Sequence, residues 1–252
     1  KATEPVVAQL AQKLPDHAQL CPDTVGLNTS GPVKILTRHF DNPQLHELGR
    51  YRQFGGYKGL EKARAMTPVA LVNEVKKSNL RGLGGAGFFT GMKWGTVPPL
   101  EKAPERFVVA NADESEPGCF KDRVLLTRAP HQVIEGLLIV CHAISAKWGF
   151  IFIRGEYADQ YDIVKKAIEE MEAAGLSGGV KVRLMRGAGA YICGLDTALL
   201  ETMEGKKAWP RQPPPFPTVV GLMGKPTVVN NVETLSMLPH IAVNGGEWFA
   251  KI

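Results

Sequence analysis

The stretch that most constrains this chain is residues 81–123, where a dense run of glycines is followed by a polar loop. It opens with RGLGGAGFFTGMKW and closes, after an apolar run, with ANADESEPGCFKDR. Glycine lets backbone N–H groups approach a phosphate or a flat ring closely, which indicates a ligand cradle. Polar groups just past the carboxyl end of a predicted strand mark the place where open α/β sheets bind ligands. The candidate residues are Gly82, Gly84, Gly85, Gly87, Asn111, Asp113, Glu114, Ser115 and Glu116.

The composition of the chain limits the kinds of ligand and partner that such a site can bind. With 252 residues, 44% hydrophobic and 22% charged, the chain can bury a substantial core. Its net charge of +5 suits an anionic cofactor or an acidic partner surface, and Lys and Arg are too dispersed to indicate nucleic-acid binding. The longest apolar run, residues 137–144, is too short to span a bilayer. The four cysteines form no CxxC pair, which argues against zinc and against an iron–sulfur cluster held by this chain alone.

The order of predicted elements indicates an α/β fold with a mostly parallel, Rossmann-like sheet flanked by helices. Predicted strands cover residues 107–110, 149–154 and 180–185, and predicted helices cover 131–147, 157–174, 196–204 and 232–243. The proline-rich residues 209–221 predict an extended wall and not a central strand. We expect three regions: an N-terminal arm at 1–34, with a helical pattern near 5–14, a helical lead-in at 35–80, and an α/β domain at 81–252.

The glycine run does not fit the common nucleotide-binding fingerprints. Gly82, Gly84 and Gly87 have GxGxxG spacing, but a predicted helix beginning at Thr67 and Pro68 precedes them where the dinucleotide fingerprint needs a strand. No GKS or GKT follows, so a P-loop is also excluded.

Several neighbouring residues allow two interpretations. Phe88 favours stacking on a planar ligand over burial in the core. Lys93 is either an anion contact or a surface lysine, and Asn230 and Asn231 either cap a helix or bind an anion at its start. The six histidines show no ligand spacing, so none is assigned to catalysis.

Six motifs, in this order, resemble the NADH-binding flavoprotein subunit of respiratory complex I, a family shared with NAD-reducing hydrogenases and NAD-linked formate dehydrogenases. They are RGLGGAGFFTGMKW, NADESEPGCFKDR, RGAGAYICG, TALLETMEGK, PPFP and GKPTVVNNVETL. The resemblance covers the chain from about Ile35 onward. It implies an NADH dehydrogenase type of enzyme that moves a hydride between NADH and FMN and then passes single electrons to iron–sulfur partner subunits. It also implies a cytoplasmic location, peripheral to the inner membrane as part of a larger complex.

The resemblance also assigns roles to residues. It implies FMN contacts from the glycine loop and from Lys93, Asn111, Asp113, Glu114, Ser115, Tyr191, Gly194, Asn230 and Asn231. NADH would lie over the flavin, with Phe88 and Phe216 as aromatic walls, Asp196 as a nearby carboxylate, and Glu116 as the catalytic-site residue near the nicotinamide. The family's ubiquitin-like domain and the helical bundle whose cysteines hold a [4Fe–4S] cluster are expected to lie outside this chain.

The chain departs from the family pattern mainly on the NADH side. Leu83 replaces an arginine, Leu195 and Asp196 replace two glutamates, Thr96 replaces an aromatic residue, and Pro213 replaces a lysine before PPFP. Two alternatives therefore stay open: a flavin-carrying electron-transfer subunit that has lost NAD(H) binding, and an assembly or scaffold subunit with neither ligand.

Overall fold

The computed structural model describes residues 34–252, and its helices and strands lie within the compact unit Arg38–Ile252. The predictions for residues 1–33, including most of the N-terminal arm, its helical pattern and Cys21, lie outside the described residues.

A parallel sheet forms the centre of this unit, as the sequence predicted. In the described part of the chain it has four strands in the order β3-β2-β1-β4, and each adjacent pair is parallel. The strands are β1 Phe107–Ala112, β2 Trp148–Ile153, β3 Lys181–Arg186 and β4 Thr227–Asn231. Every residue of β1 is buried, as expected for a parallel strand covered on both faces.

Helices surround the sheet and precede it. In chain order they are α1 Leu48–Gln53, α2 Lys58–Arg64, α3 Pro68–Lys77, α4 Thr90–Gly95, α5 Lys121–Arg128, α6 Pro130–Ala143, α7 Ala158–Ala173, α8 Asp196–Met203, α9 Val232–Asn244 and α10 Gly246–Phe249, with short 3₁₀ turns at Tyr191–Gly194 and Leu222–Gly224. The predicted start of α3 is confirmed, since the Thr67 hydroxyl accepts a hydrogen bond from the backbone N–H of Ala70.

The two faces of the sheet are covered by different helices. On one face, Leu199 and Leu200 of α8 pack in a cluster with Phe152 of β2. On the other face α6 lies so close that a Cβ on Gly149 would approach Leu137 to 3.0 Å. Helix α6 is buried along almost its whole length and also packs on α9. Its apolar sequence is therefore explained by burial between the sheet and other helices.

A buried carboxylate attaches the helical lead-in to α6. Glu135, which is 1% exposed, accepts hydrogen bonds from the Tyr51 hydroxyl at 2.5 Å and from the backbone N–H groups of Tyr57 and Leu60 at 2.9 Å. Burial raises the pKa of the Glu135 carboxyl. The lead-in helices thus share the interior of the sheet domain.

The sequence interpretation omitted α4, α5 and α10, and extended the helix after Pro130 too far. That helix ends at Ala143, and Ser145 follows with a positive φ of 57°. Helix α5 has no local N-cap side chain; its cap comes from Glu114, seven residues before its first residue, which a pattern search at helix starts does not find.

Within residues 34–252, no single helix is long and apolar enough to cross a membrane. Helices α5 and α6 reach the required length and composition only when taken together, across a bend of 99°.

Candidate functional site

The sheet topology fixes where a site can form. From β1 the chain adds β2 and then β3 on one side, and β4 pairs with the other side of β1. The carboxyl ends of β1 and β4 therefore flank a topological switch point, where parallel α/β sheets open a crevice. In register, Ala110 lies opposite Asn230 and Asn111 opposite Asn231, so polar side chains gather at this edge.

A cavity of about 770 Å³ opens at this edge, within the size range of cofactor pockets. Both glycine-rich loops, the polar loop after β1 and the end of β4 contribute to it. Its lining comprises Gly82, Leu83, Gly84, Gly85, Ala86, Phe88, Lys93, Asn111, Asp113, Glu114, Ser115, Glu116, Cys119, Lys121, Asp122, Tyr191, Ile192, Gly194, Leu195, Asp196, Val229, Asn230 and Asn231.

The first glycine loop forms one wall with its backbone. An antiparallel bridge between Arg81 and Phe89 closes the loop, and the N–H of Gly82 donates to the Phe88 carbonyl at 2.8 Å. Gly85 has φ +111°, a conformation that side chains rarely adopt. A Cβ at Gly84 would lie 3.1 Å from the Cβ of Asn231. The glycines therefore allow this loop to lie directly against the strand edge.

Asparagine side chains form the opposite wall, and each is held by hydrogen bonds. The Asn111 amide accepts from the N–H of Asp113 at 3.1 Å and donates to the Gly194 carbonyl at 2.8 Å. Asn230 accepts from the indole N–H of Trp94 at 3.0 Å. This wall is rigid because its polar groups are bonded to the surrounding structure.

Asn231 belongs to a charged network. Its Nδ2 donates to Asp122 at 2.5 Å, while its Oδ1 accepts from Lys121 at 3.2 Å and from the N–H of Glu233 at 2.9 Å. Lys121 also pairs with the carboxylates of Asp122 at 2.8 Å and Glu233 at 3.1 Å. Asn231 thus caps α9, one of the two interpretations that the sequence left open.

Two of these network residues titrate abnormally. Burial raises the pKa of the Asp122 carboxyl to about 6, against the lowering effect of Lys121. Burial acts to lower the pKa of the Lys121 ammonium, but the neighbouring carboxylates of Asp122 and Glu233 raise it above its ordinary value. Asp122, 2% exposed, is a buried acid at the cavity wall.

Glu114 borders the cavity, but hydrogen bonds within the protein engage its carboxylate. Its oxygens accept from the N–H groups of Asp122 and Arg123 at 3.0 and 3.1 Å, and from the Tyr157 hydroxyl at 3.0 Å. The Cys119 thiol also lies 3.2 Å from it. These bonds cap the start of α5, so Glu114 holds the helix that carries Lys121 and Asp122.

Acidic side chains also mark the rim of the cavity. The Tyr191 hydroxyl donates to the exposed Glu116 carboxylate at 2.6 Å, and this hydrogen bond raises the pKa of Tyr191. Lys93 donates to the Val229 carbonyl at 2.8 Å and lies 3.4 Å from the Asp196 carboxylate.

Most of the predicted site residues meet at this cavity. Among the described residues, Gly87 and Phe216 are the predicted ones that do not line it. Phe216 is 62% exposed on the proline-rich segment. The sequence interpretation missed Lys121 and Asp122 as site residues, although both stand in the motif NADESEPGCFKDR; their position directly after the polar loop was the available signal.

The lining fits an elongated, partly anionic cofactor such as FMN. Gly85 has open space where a Cβ would stand, and the lining offers ammonium, amide and backbone donors. Burial raises the pKa of the Asp113 carboxyl. Within residues 34–252 no group of three or more His, Cys, Asp or Glu side chains is arranged to hold a metal ion.

Known proteins are similar to this chain in sequence. The chain is 49% identical over 227 residues to the F 2 subunit of NADH-quinone oxidoreductase of Rhizobium meliloti (strain 1021), an alignment covering 86% of this chain and 54% of the relative. It is 46% identical over 228 residues to the F subunit of NADH-quinone oxidoreductase of Aquifex aeolicus (strain VF5), covering 87% and 53%. The chain thus spans about half the length of these curated relatives.

A solved structure is also similar to this chain, in fold as well as in sequence. The crystal structure of an NAD⁺-reducing [NiFe]-hydrogenase in the H₂-reduced state matches with a TM-score of 0.74 and 36% identity, over 98% of this chain and 42% of that chain. Residues 75–240 match the family described as Complex1_51K, the Nuo51 FMN-binding domain. This chain therefore belongs to the Nuo51 FMN-binding domain family.

Proposed function

We propose that this chain is the FMN-carrying, NADH-oxidising or NAD-reducing module of a multi-subunit oxidoreductase. The observation that carries the proposal is the donor-lined cavity at the switch point between β1 and β4, with a glycine loop as one wall. When bound there, FMN supplies hydride chemistry with a nicotinamide and one-electron chemistry with iron–sulfur centres. The relatives named as NADH-quinone oxidoreductase subunits and the NAD⁺-reducing hydrogenase support this reaction class.

We assign different roles in cofactor binding to the glycine-loop wall and to the asparagine wall. Backbone N–H groups of the glycine loop and the Lys93 ammonium bind acceptor and anionic groups of the cofactor. Asn111, Asn230 and Asn231 orient it through side chains that are already held in place, which avoids reorganisation on binding. Gly85, Asp113, Ser115, Tyr191 and Gly194 complete the cofactor contacts, and Glu114 acts through α5.

For the nicotinamide we propose the open side of the same cavity. Phe88 is 52% exposed and lines the cavity, so its ring is available for stacking. Glu116 and Asp196 place carboxylates around the opening, where they would repel an extra phosphate and favour NADH over NADPH. The hydride step itself requires no acid or base from a side chain; the residues position the two rings and exclude water.

The same proposal includes an α/β domain at 81–252. It also includes iron–sulfur partner subunits and a cytoplasmic location peripheral to the inner membrane. The curated relatives are named as subunits of NADH-quinone oxidoreductases, which supports partners that accept or supply the electrons.

One observation favours a second candidate, a flavin-carrying subunit without NAD(H) binding. Leu195 lines the cavity and is 49% exposed, at a position where the family has an acidic residue. The neighbouring Asp196 carboxylate lies 3.4 Å from Lys93, so it is already partly engaged. The opening therefore has fewer free carboxylates than the family pattern provides.

Anaerobic titration separates the two candidates. FMN is added to the isolated chain, excess is removed, and the flavin absorbance band is followed after addition of NADH, NADPH or dithionite. Rapid bleaching by NADH but not by NADPH supports the leading proposal. Bleaching by dithionite alone supports the second candidate. Absence of stoichiometric FMN after reconstitution overturns both.

A further inference from the structure

Chemistry alone settles which way two of the cavity amides point. Asn111 Oδ1 faces the N–H of Asp113, and Asn231 Oδ1 faces the N–H of Glu233. A backbone N–H donates and never accepts, so the amide atom that it faces must be the oxygen. In both residues the Nδ2 group is therefore on the other side of the amide.

The orientation of Asn230 depends on a tryptophan. The Trp94 indole N–H donates to Asn230 Oδ1 at 3.0 Å, and the two residues are only 2% and 3% exposed. The indole N–H is also a donor only. In the part of the chain that the structure describes, Asn230 makes no other side-chain hydrogen bond. The Nδ2 of Asn230 therefore turns away from Trp94, and Asn230 borders the cavity.

We propose that Trp94 is a positioning residue: its indole N–H fixes the Asn230 amide so that Nδ2 donates into the cavity. This inference rests on the proposed FMN site. Without the indole N–H, the amide can turn by 180° and present its oxygen to acceptor atoms of the cofactor, which replaces a hydrogen bond with a repulsive contact.

Helix α4 connects the Trp94–Asn230 hydrogen bond to the glycine loop. The loop leads directly into α4, whose consecutive residues Lys93 and Trp94 bond to consecutive residues of β4, Val229 and Asn230. Trp94 thus joins the loop wall to the strand wall through the interior, while Lys93 joins them at the cavity surface. Trp94 itself does not line the cavity, and its indole hydrogen bond goes to Asn230, which does.

The first test is Trp94→Phe in the 252-residue chain, because phenylalanine keeps most of the ring and removes the N–H. We expect the Kd for FMN, measured by quenching of flavin fluorescence, to rise about 3- to 10-fold, the effect of one lost hydrogen bond. Trp248→Phe is the matched control. Trp248 lies in α10, is 36% exposed and does not line the cavity, so its replacement leaves the Kd unchanged.

A double-mutant cycle distinguishes positioning from general loosening of the fold. If Trp94 acts through Asn230, Trp94→Phe changes the Kd less than about twofold in an Asn230→Ala background. If the fold-changes in Kd caused by the two substitutions instead multiply in full, the inference is overturned. Unchanged affinity in Trp94→Phe, with wild-type protein that binds FMN, overturns this inference alone. Wild-type protein that binds no FMN overturns the proposed function.

A second measurement adds the exchange rate of the indole N–H as a readout besides flavin affinity. The chain has four tryptophans, so an amide spectrum contains four indole N–H signals, and Trp94→Phe identifies the one from Trp94. That signal should exchange slowly with solvent. Asn230→Asp keeps an acceptor for the indole but turns the cavity donor into a carboxylate. It should therefore retain the slow signal and weaken FMN binding more than Trp94→Phe does. Fast exchange in the wild-type protein contradicts the proposal.

Discussion

On the strand side of the cavity the binding groups are buried or half-buried side chains, each bonded to the structure behind it, whereas on the loop side they are backbone groups with few neighbours. Asn230 is 3% exposed and bonded to Trp94, while Phe88 at the end of the loop is 52% exposed. Gly85 has open space where a side chain would be. The strand wall is thus coupled to global stability, and the loop wall is mainly coupled to ligand binding. This difference leads to four predictions.

The largest effect is expected where the strand wall is supported from behind. Glu114→Ala removes a carboxylate, 7% exposed, that accepts from two N–H groups at the start of α5 and from Tyr157. We expect the free energy of unfolding in urea to fall by about 3 kcal/mol, since hydrogen bonds to a charged group are lost and the donors stay buried. Glu116→Ala, at the exposed rim, should change it by less than about 0.5 kcal/mol. Equal losses of unfolding free energy in Glu114→Ala and Glu116→Ala would show that the strand wall and the exposed rim do not differ in their coupling to stability.

The second effect is a dependence of stability on pH. Burial raises the pKa of Asp122 from 3.8 to about 6, so between these values the folded chain holds a proton that the unfolded chain has released. Stability therefore falls as the pH rises through this window, by up to about 3 kcal/mol. Urea unfolding of the wild-type protein and of Asp122→Asn, at pH 4 and pH 7, isolates the contribution. A decline of the same size in both proteins would show that Asp122 is not its source.

The third effect links the two walls. In Gly84→Ala the new Cβ lies 3.1 Å from the Cβ of Asn231, so either the loop or the asparagine must move. We expect FMN affinity to fall about tenfold, which is 1.4 kcal/mol, with a change in unfolding free energy below about 1 kcal/mol. Gly49→Ala in α1 is the control, because nothing lies within 4 Å of its Cβ and it does not line the cavity. A large loss of stability in Gly84→Ala would contradict the assignment of this loop to binding.

The smallest effect on the fold is expected at Phe88, at the end of the loop. Phe88→Ala removes an exposed ring, so the free energy of unfolding should stay within about 0.5 kcal/mol of wild type. FMN affinity should change little, and the rate of flavin bleaching by NADH should fall several-fold if the ring stacks on the nicotinamide. The measurements are urea unfolding and stopped-flow absorbance. A fall in FMN affinity with an unchanged bleaching rate would assign Phe88 to the flavin instead.

Much of the fold and of the cavity lining was readable from local patterns. The parallel sheet follows from apolar runs that alternate with helical ones, and the Thr67-Pro68 start of α3 is a local signal. The polar residues after β1 and the pair at the end of β4 lie at the carboxyl edge because parallel strands share one direction.

The remainder depends on contacts between distant parts of the chain. Helix α5 is capped by Glu114 and lacks a local cap. Asp122 accepts a hydrogen bond from Asn231, which stands more than a hundred positions later in the chain. Trp94 stands in the first glycine motif, but its donor role is visible only once β4 is placed beside α4. Such roles require the three-dimensional arrangement.

The position of β4 also has a consequence for how the chain acquires its cofactor. Phe107 of β1 pairs with Thr227 of β4, and the two strands meet only after β2 and β3 have been made. Contacts of such long sequence separation form late and slowly. During synthesis, a nascent chain that has not yet emerged beyond Asn231 has one cavity wall but not the other. Flavin capture should therefore wait until β4 has joined the sheet, so that it reports completed folding of this unit.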